Sequence, residues 1–362
     1  MTASRATVLH TMQRWLPLSE QFVASLVGGS RHRAVVLSRL PVENRRTFPQ
    51  RPVFSLGLIP ASWPRTATHR RVITGAIAMV ARATRARIIH HHHGYRLSDV
   101  EGVVRRLALP LVVSLHGHDV TTYEQDWPGS LRTLAHASAV IVPSRFLADR
   151  VAPLGVDADR IQVIPSGVDT RWFTPSALPD APQILFAGRF VEKKGLDVLL
   201  KAWPAVVAAV PEARLRILGS GPLEALARSG GGRVTVELTD PARRAEQIRD
   251  AIRGARVVVT PSKTAADGDA ETLLLVNLEA QASGRPLVTT AHGGIPEYVE
   301  DGSTALVVPE NDAASLGDAI TRVLSDEGLA RRLAEAGPAL AARFDVAACT
   351  ARVDALYDMY GR

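Results

Sequence analysis

The chain is poor in cysteine, lysine and aromatic residues, and each scarcity excludes something. Cys349 is the single cysteine in 362 residues, which rules out an internal disulfide framework and any cysteine-held zinc or iron–sulfur centre. Aromatics make up 5%, and no basic stretch is interleaved with them, so nucleic acid is a poor partner. The longest apolar run, residues 72–81, is about half of the roughly 20 residues a membrane-spanning helix needs. Residues 1–15 hold no continuous apolar segment, so no secretory leader is expected, and the expectation is a soluble cytoplasmic protein. What is present is ordinary for a globular protein, 46% hydrophobic and 22% charged, with too much apolar content for disorder. The length suggests two domains, at about 100–200 residues each.

Lys193, Lys194, Lys201 and Lys263 are the only lysines among 43 basic residues; the other 39 are Arg. The net charge of +7 is lopsided. Residues 1–176 carry 22 Arg against 11 acidic residues, net +11, and residues 177–362 carry 21 basic against 25 acidic, net −4. Such asymmetry reflects different partners for the two halves, or simply a solvated Arg-rich surface.

Short Val/Ile-rich runs alternate with longer helical patterns. Strands are expected at residues 7–10, 33–37, 87–90, 111–115 and 139–142, with helices at 19–27, 66–85, 97–107 and 144–152 between them. Ser19 and Ser144 are good N-caps, since a serine oxygen accepts an orphan N–H of the first turn. The second half places strands at 183–187, 214–218, 234–237, 257–260, 287–290 and 305–308, and helices at 195–210, 241–253, 273–282 and 313–325. This rhythm predicts an α/β fold of two Rossmann-like, doubly wound parallel sheets facing across a cleft. The expected domains are 1–176 and 177–345, joined through the proline-bearing segment 163–180. A C-terminal helix, 346–360 within 346–362, would pack back toward the first domain.

Three groups of residues point to chemistry. The first, Gly188-Arg189-Phe190-Val191-Glu192-Lys193-Lys194-Gly195, follows a strand and opens a helix. Glycines permit a tight turn, helix-start N–H groups attract an anion, and Arg189 and Lys194 would clamp a diphosphate; a solvated basic loop is the alternative. The second is the carboxylate pair Glu271 and Glu279, with Glu271 before the helix and Glu279 about two turns into it. Carboxylates accept hydrogen bonds from sugar hydroxyls, although two glutamates eight apart also occur on solvated helices. The third is Leu115-His116-Gly117-His118-Asp119, a histidine at a strand's carboxyl end, where ligands of open α/β sheets bind, or else a packed ring.

Together with Leu218-Gly219-Ser-Gly-Pro222, Pro261-Ser262, Glu279-Ala-Gln-Ala-Ser-Gly284 and Gly293-Gly294-Ile-Pro-Glu297, these residues resemble the retaining glycosyltransferases of family 4 (GT4), with the GT-B fold. The first half agrees through Pro17-Leu-Ser19-Glu20-Gln-Phe22, residues 90–94, Val142-Pro-Ser144 and Gly167-Val-Asp169. The His116–Asp119 segment and Asp267-Gly-Asp269 are most similar to the exopolysaccharide-type branch. The resemblance implies transfer of a sugar from a nucleotide-diphosphate sugar to a saccharide, lipid-linked or small-molecule acceptor held by the first domain. Arg189 and Lys194, with Gly188 and Gly219, would bind the diphosphate; Glu279 would hold the ribose. Glu271 would hold the transferred sugar, with Thr272, Leu273 and Leu274 beside it, and His116 would contact that sugar near its reacting face.

One departure concerns Thr272, where the family pattern has glycine; a threonine resists positive φ and puts a side chain beside the sugar. Asp267-Gly-Asp269 looks like a metal-binding acidic pair, but Arg189 and Lys194 already supply positive charge. No metal ion and no cofactor besides the donor is therefore expected. Alternation along a strand sends neighbours among His90–His93 to opposite faces. Arg70, Arg71, Arg82, Arg85 and Arg87 flank an apolar centre at 72–80, which suits a helix lying peripherally on an anionic membrane or a core-packed solvated helix. The competing functions are a GT-B sugar-nucleotide epimerase or phosphorylase and a catalytically weak nucleotide-sugar-binding protein.

Overall fold

The computed structural model describes residues 5–17, 20–44, 52–57, 67–122 and 131–361. Ser19 and Thr66, named above in a cap and a helix start, lie outside them. The chain divides into two compact units, Met1–Ser166 with Val346–Arg362, and Gly167–Asp345. The division falls ten residues before the expected boundary at 176/177. Ile161–Val163 completes the first sheet, whereas residues 167–176 are tied to the end of the second unit. There the Val168 N–H donates to Phe344 O (2.9 Å), and Thr170 Oγ1 donates to Asp345 (2.6 Å).

The first unit is a parallel sheet in the order β3-β2-β1-β4-β5-β6-β7. Its strands are β1 (Thr7–Met12), β2 (Arg33–Ser38), β3 (Val53–Ser55), β4 (Ile88–His92), β5 (Leu111–Ser114), β6 (Ala139–Val142) and β7 (Ile161–Val163). Helices Gln21–Gly29 (α1), Ala67–Ala83 (α2), Ser98–Leu107 (α3), His118–Thr121 (α4) and Arg145–Val151 (α5) connect them. Strand alternation sorts the core. Leu9, Ile89 and Val113 join Ile73, Ile77 and Val100 of α2 and α3, while Val8, Ile88 and Val112 join Val353 and Tyr357 of the C-terminal helix Val346–Tyr360. Ser144 caps α5 by accepting from the Leu147 N–H (3.4 Å).

The second unit repeats the plan, in the order β10-β9-β8-β11-β12-β13, all parallel. Its strands are β8 (Gln183–Arg189), β9 (Arg214–Ser220), β10 (Val234–Leu238), β11 (Val257–Thr260), β12 (Leu287–Thr290) and β13 (Leu306–Val308). Helices are α6 (Leu196–Ala209), α7 (Glu224–Arg228), α8 (Arg244–Arg253), α9 (Leu275–Ala282), α10 (Ala313–Ser325) and α11 (Glu327–Ala342). Ile184 and Phe186 face α6, α10 and α11; Leu185 and Ala187 face α8 and α9. In both sheets the order reverses once, between β1 and β4 and between β8 and β11, and that reversal opens a crevice at the strands' carboxyl ends.

Besides the four-residue α4, the sequence pattern misses β3, β7, α7 and α11. The first two have three residues each and α7 five, too short to show a period. The fourth carries Gly337-Pro338 in its middle, which reads as a break, yet Leu329, Leu333 and Leu340 bury one face of a single helix. Gly337 permits close approach, because a Cβ there would lie 2.9 Å from Gln281 O of α9.

Candidate active site

At the reversal point of the second sheet, β8 ends in Gly188 and Arg189, and a 3-10 turn over Glu192–Lys194 leads into α6. Gly195 turns the chain with φ 66°, and a Cβ there would lie 1.7 Å from Pro261 O, so only glycine brings this loop against the end of β11. Gly219 pairs with Gly188 in register, and a Cβ on it would lie 1.8 Å from Gly188 O. Its need for glycine therefore comes from backbone packing. At Gly188 a Cβ would meet only the Lys194 side chain, at 3.8 Å.

The two lysines divide their work. Lys193, buried, pairs with Asp269 (2.9 Å), and its carbonyl accepts from the Lys263 N–H (2.9 Å), fastening the loop after β11. That pairing gives Asp269 of the Asp267-Gly-Asp269 stretch a structural partner. Lys194 Nζ lies 2.8 Å from Glu271 Oε1. Burial works to raise the Glu271 pKa, but Lys194, Lys193 and Arg189 together hold it below 4.5. Burial lowers the Lys194 pKa, with Lys193 and Arg189 adding to the effect against Glu271. Arg189 is exposed, and among the described residues no carboxylate pairs with it. An anion arriving at the end of β8 thus meets an exposed guanidinium and a partly desolvated ammonium, where charge–charge attraction is stronger than in bulk water.

Helix α9 begins at Leu275, two residues later than the pattern predicts, so Glu279 sits about one turn into it rather than two. Burial pushes its carboxyl up to about 7, with Arg244 opposing. Leu274 is the N-cap and packs into the core at 7% exposure, and Leu273 packs against the same core, so what these two offer a ligand is mainly backbone. Thr272 is buried (4%) and is not among the residues of positive φ. The backbone objection to threonine therefore does not arise, and what distinguishes it from glycine is its side chain.

In the first unit, His116 follows β5, and its backbone is held by Asp119. That carboxylate, 1% exposed, accepts from the N–H groups of Gly94 (3.0 Å), His116 (3.1 Å) and Gly117 (2.9 Å). The His116 ring packs 4.6 Å from Phe22 and 4.6 Å from His93; burial, then His93, hold its pKa well below 6.5, so the ring is neutral. Burial opposes protonation of His93, but Glu20 (3.2 Å) and Asp119 outweigh it and raise its pKa.

As alternation requires, His90 and His92 face one way with His10, and His91 faces the other, toward Thr11 Oγ1 (2.8 Å). His10, His90 and His92 form a buried group that sequence reasoning did not assemble, because His10 comes from another strand. Their ring planes lie within 20–37° of one another; four of the six ring nitrogens bond to each other, to Tyr357 or to Ser114, and His10 Nε2 and His92 Nδ1 have no partner among the described residues.

Two Rossmann-like sheets, with a basic glycine-rich turn ending one and a histidine turn ending the other, describe a GT-B type of protein. Residues 23–172 match the family model described as Glycosyltransferase Family 4, and residues 181–326 that described as Glycosyl transferases group 1. The D-inositol 3-phosphate glycosyltransferase of Xylanimonas cellulosilytica is 33% identical over 296 residues, covering 71% of this chain and 68% of that protein. The amylovoran biosynthesis glycosyltransferase AmsK of Erwinia amylovora is 28% identical over 66% of this chain and 61% of its own. Among solved structures, Alr3699/HepE of Anabaena in complex with UDP-glucose has a TM-score of 0.78 at 19% identity, over 98% of this chain and 99% of that one. The chain belongs to glycosyltransferase family 4. It spans from 52% to 68% of the length of curated relatives it matches.

Proposed function

We propose that this chain is a retaining glycosyltransferase that moves a sugar from a nucleoside-diphosphate sugar to a saccharide, lipid-linked or small-molecule acceptor. The observation that carries the reading is the exposed Arg189 beside the Lys194–Glu271 pair at the reversal point of the second sheet. In this reading the unit of residues 167–345 binds the donor and the other unit receives the acceptor. The bond from the sugar's anomeric carbon to the phosphate oxygen breaks, and the diphosphate gains negative charge as it leaves. Arg189 and Lys194 stabilise that charge more in the transition state than in the ground state. The acceptor oxygen bonds to the anomeric carbon on the face the phosphate vacates, and its proton passes to the leaving phosphate. Glu279 accepts from the ribose hydroxyls and Glu271 from a hydroxyl of the sugar, and the proposal assigns the neutral His116 of the other unit a contact with that sugar. The two cations supply charge that other glycosyltransferases take from a metal ion, and no cofactor is part of the proposal.

The relatives' names support this reading, one acting on D-inositol 3-phosphate and one in amylovoran biosynthesis, as does the neighbour solved with UDP-glucose. Peripheral binding to an anionic membrane is a further part of the proposal. On α2 the exposed Val72 and Met79 lie among the exposed Arg70, Arg71 and Arg82, an apolar stripe edged by positive charge. No helix among the described residues is long and apolar enough to cross a membrane.

A thermal-shift panel of UDP, GDP, dTDP and ADP tests the donor site, since a bound nucleotide raises Tm by mass action. One of the four raises Tm, and Arg189→Ala and Glu279→Ala each abolish the rise; a rise retained in both variants overturns the assignment. Retention is read from the anomeric coupling of the product. Vesicles with anionic lipid pull down the chain in low salt and release it in high salt, and equal binding to zwitterionic vesicles overturns the membrane part.

A further inference from the structure

Glu271 lies before α9 in a stretch that no strand ladder or helix fixes, yet its peptide is gripped from both sides by residues 292–294. The Glu271 N–H donates to His292 Nε2 (3.1 Å), and the Glu271 carbonyl accepts from the Gly294 N–H (2.9 Å). Between them Gly293 takes φ 54°, and a Cβ there would lie 2.0 Å from Glu271 O, so the turn approaches as closely as glycine alone allows. His292 is 3% exposed, with Nδ1 2.9 Å from Glu310 Oε2. The same Glu310 carboxylate accepts from the Thr264 N–H (2.6 Å), anchoring the loop after β11.

This arrangement fixes the tautomer. A backbone N–H only donates, so His292 Nε2 is the acceptor, and the neutral ring carries its proton on Nδ1, facing Glu310. A second proton would sit on Nε2, directly against the Glu271 N–H, and the grip would open.

We propose that His292, oriented by Glu310, is a positioning residue that aims the Glu271 carboxylate at the transferred sugar by holding the Glu271 peptide. The proposal rests on the sugar-binding role given to Glu271 above. It assigns His292 no contact with the donor. The charged groups facing the ring are Glu310, Glu271 and Lys193; burial outweighs the two carboxylates and keeps its pKa below 6.5. Loss of the grip therefore belongs to the acid side of the pH profile.

The test compares wild type with His292→Ala, His292→Gln and Glu310→Gln. Glutamine's Oε1 reaches roughly where Nε2 lies and accepts without titrating. His292→Ala is expected to lower kcat on the order of 10–100-fold, while the Kd for the nucleoside diphosphate stays within about twofold, because Arg189 and Glu279 are untouched. His292→Gln restores most of kcat and removes the acid limb assigned to His292, and Glu310→Gln moves that limb. Hydrogen exchange at the Glu271 amide reads the grip without turnover: protection is lost in His292→Ala and regained in His292→Gln. Wild-type kcat and pH profile in His292→Ala, or glutamine no better than alanine, overturns the proposal. Failure of the wild type to bind any of the four nucleoside diphosphates overturns the donor-site reading instead, and amide exchange then still decides whether His292 holds Glu271.

Discussion

Lys194 Nζ and Glu271 Oε1 stand 2.8 Å apart, with side chains only 13% and 7% exposed. Each is the other's counter-ion in the unliganded chain, so neither is buried alone. Removing one partner strands the other in a poorly solvated place, and Glu271→Gln is expected to cost on the order of 2 kcal/mol in a urea titration. The double change Lys194→Met with Glu271→Gln costs less than the sum of the two single changes. The pH dependence has a definite sign. The folded carboxyl titrates below 4.5, so the unfolded chain binds more protons in the window just under that value and the stabilisation is lost as pH falls through it. In Glu271→Gln that acid loss is smaller.

Arg189 presents the opposite case. It is exposed and has no carboxylate partner among the described residues, so Arg189→Ala leaves the unliganded unfolding free energy nearly unchanged, within about 0.5 kcal/mol. If Arg189 binds the diphosphate as proposed, the effect falls there, and its Kd rises on the order of tenfold or more. Arg189→Lys recovers only part of that, because an ammonium cannot hold two phosphate oxygens in a planar fork. Calorimetry on the three proteins, each with its unliganded Tm, checks the separation of affinity from stability.

Glu279 titrates near neutrality because burial raises its carboxyl to about 7. Between 4.5 and 7 the folded chain holds this proton and the unfolded chain does not, so this group makes stability fall as pH rises through that window. Glu279→Gln flattens the fall. If the carboxylate accepts ribose hydroxyls, nucleotide affinity rises with pH across the same window. Binding at pH 6 then releases close to one proton, and at pH 8 almost none. Titration calorimetry in two buffers of different ionisation enthalpy measures the release.

Much of this was legible because the two sheets write their signals locally. Val and Ile runs marked the long strands, Ser144 announced its helix, and the turn from Gly188 to Gly195 stood between a strand and a helix. What stayed hidden depends on distance. His10 is 80 residues from His90, and only the pairing of β1 with β4 brings them side by side. His292 and Glu310 carried no motif of their own, and their meaning appears only when the ring is seen against the Glu271 amide. The concern over Thr272 came from a family pattern, whereas the folded chain gives it no positive φ. Helix α11 was obscured by a glycine–proline pair whose small profile serves contact with α9.

Gly188 and Gly219 face each other across β8 and β9, yet substitution at the two has opposite consequences. At Gly219 a Cβ would collide with Gly188 O at 1.8 Å, and no flexible group can yield because the obstacle is backbone. Gly219→Ala should therefore separate the strands and destabilise the unit by several kcal/mol, on the order of 3. At Gly188 the nearest atoms belong to the Lys194 side chain, at 3.8 Å, and φ lies outside the left-handed region. Gly188→Ala should keep a wild-type Tm, but its methyl stands beside the Lys194 side chain, where the proposed function puts the diphosphate. Nucleotide affinity then falls while folding does not. A Gly188→Ala protein that unfolds early, or one that binds nucleotide as wild type does, would contradict the placement of the diphosphate over the end of β8.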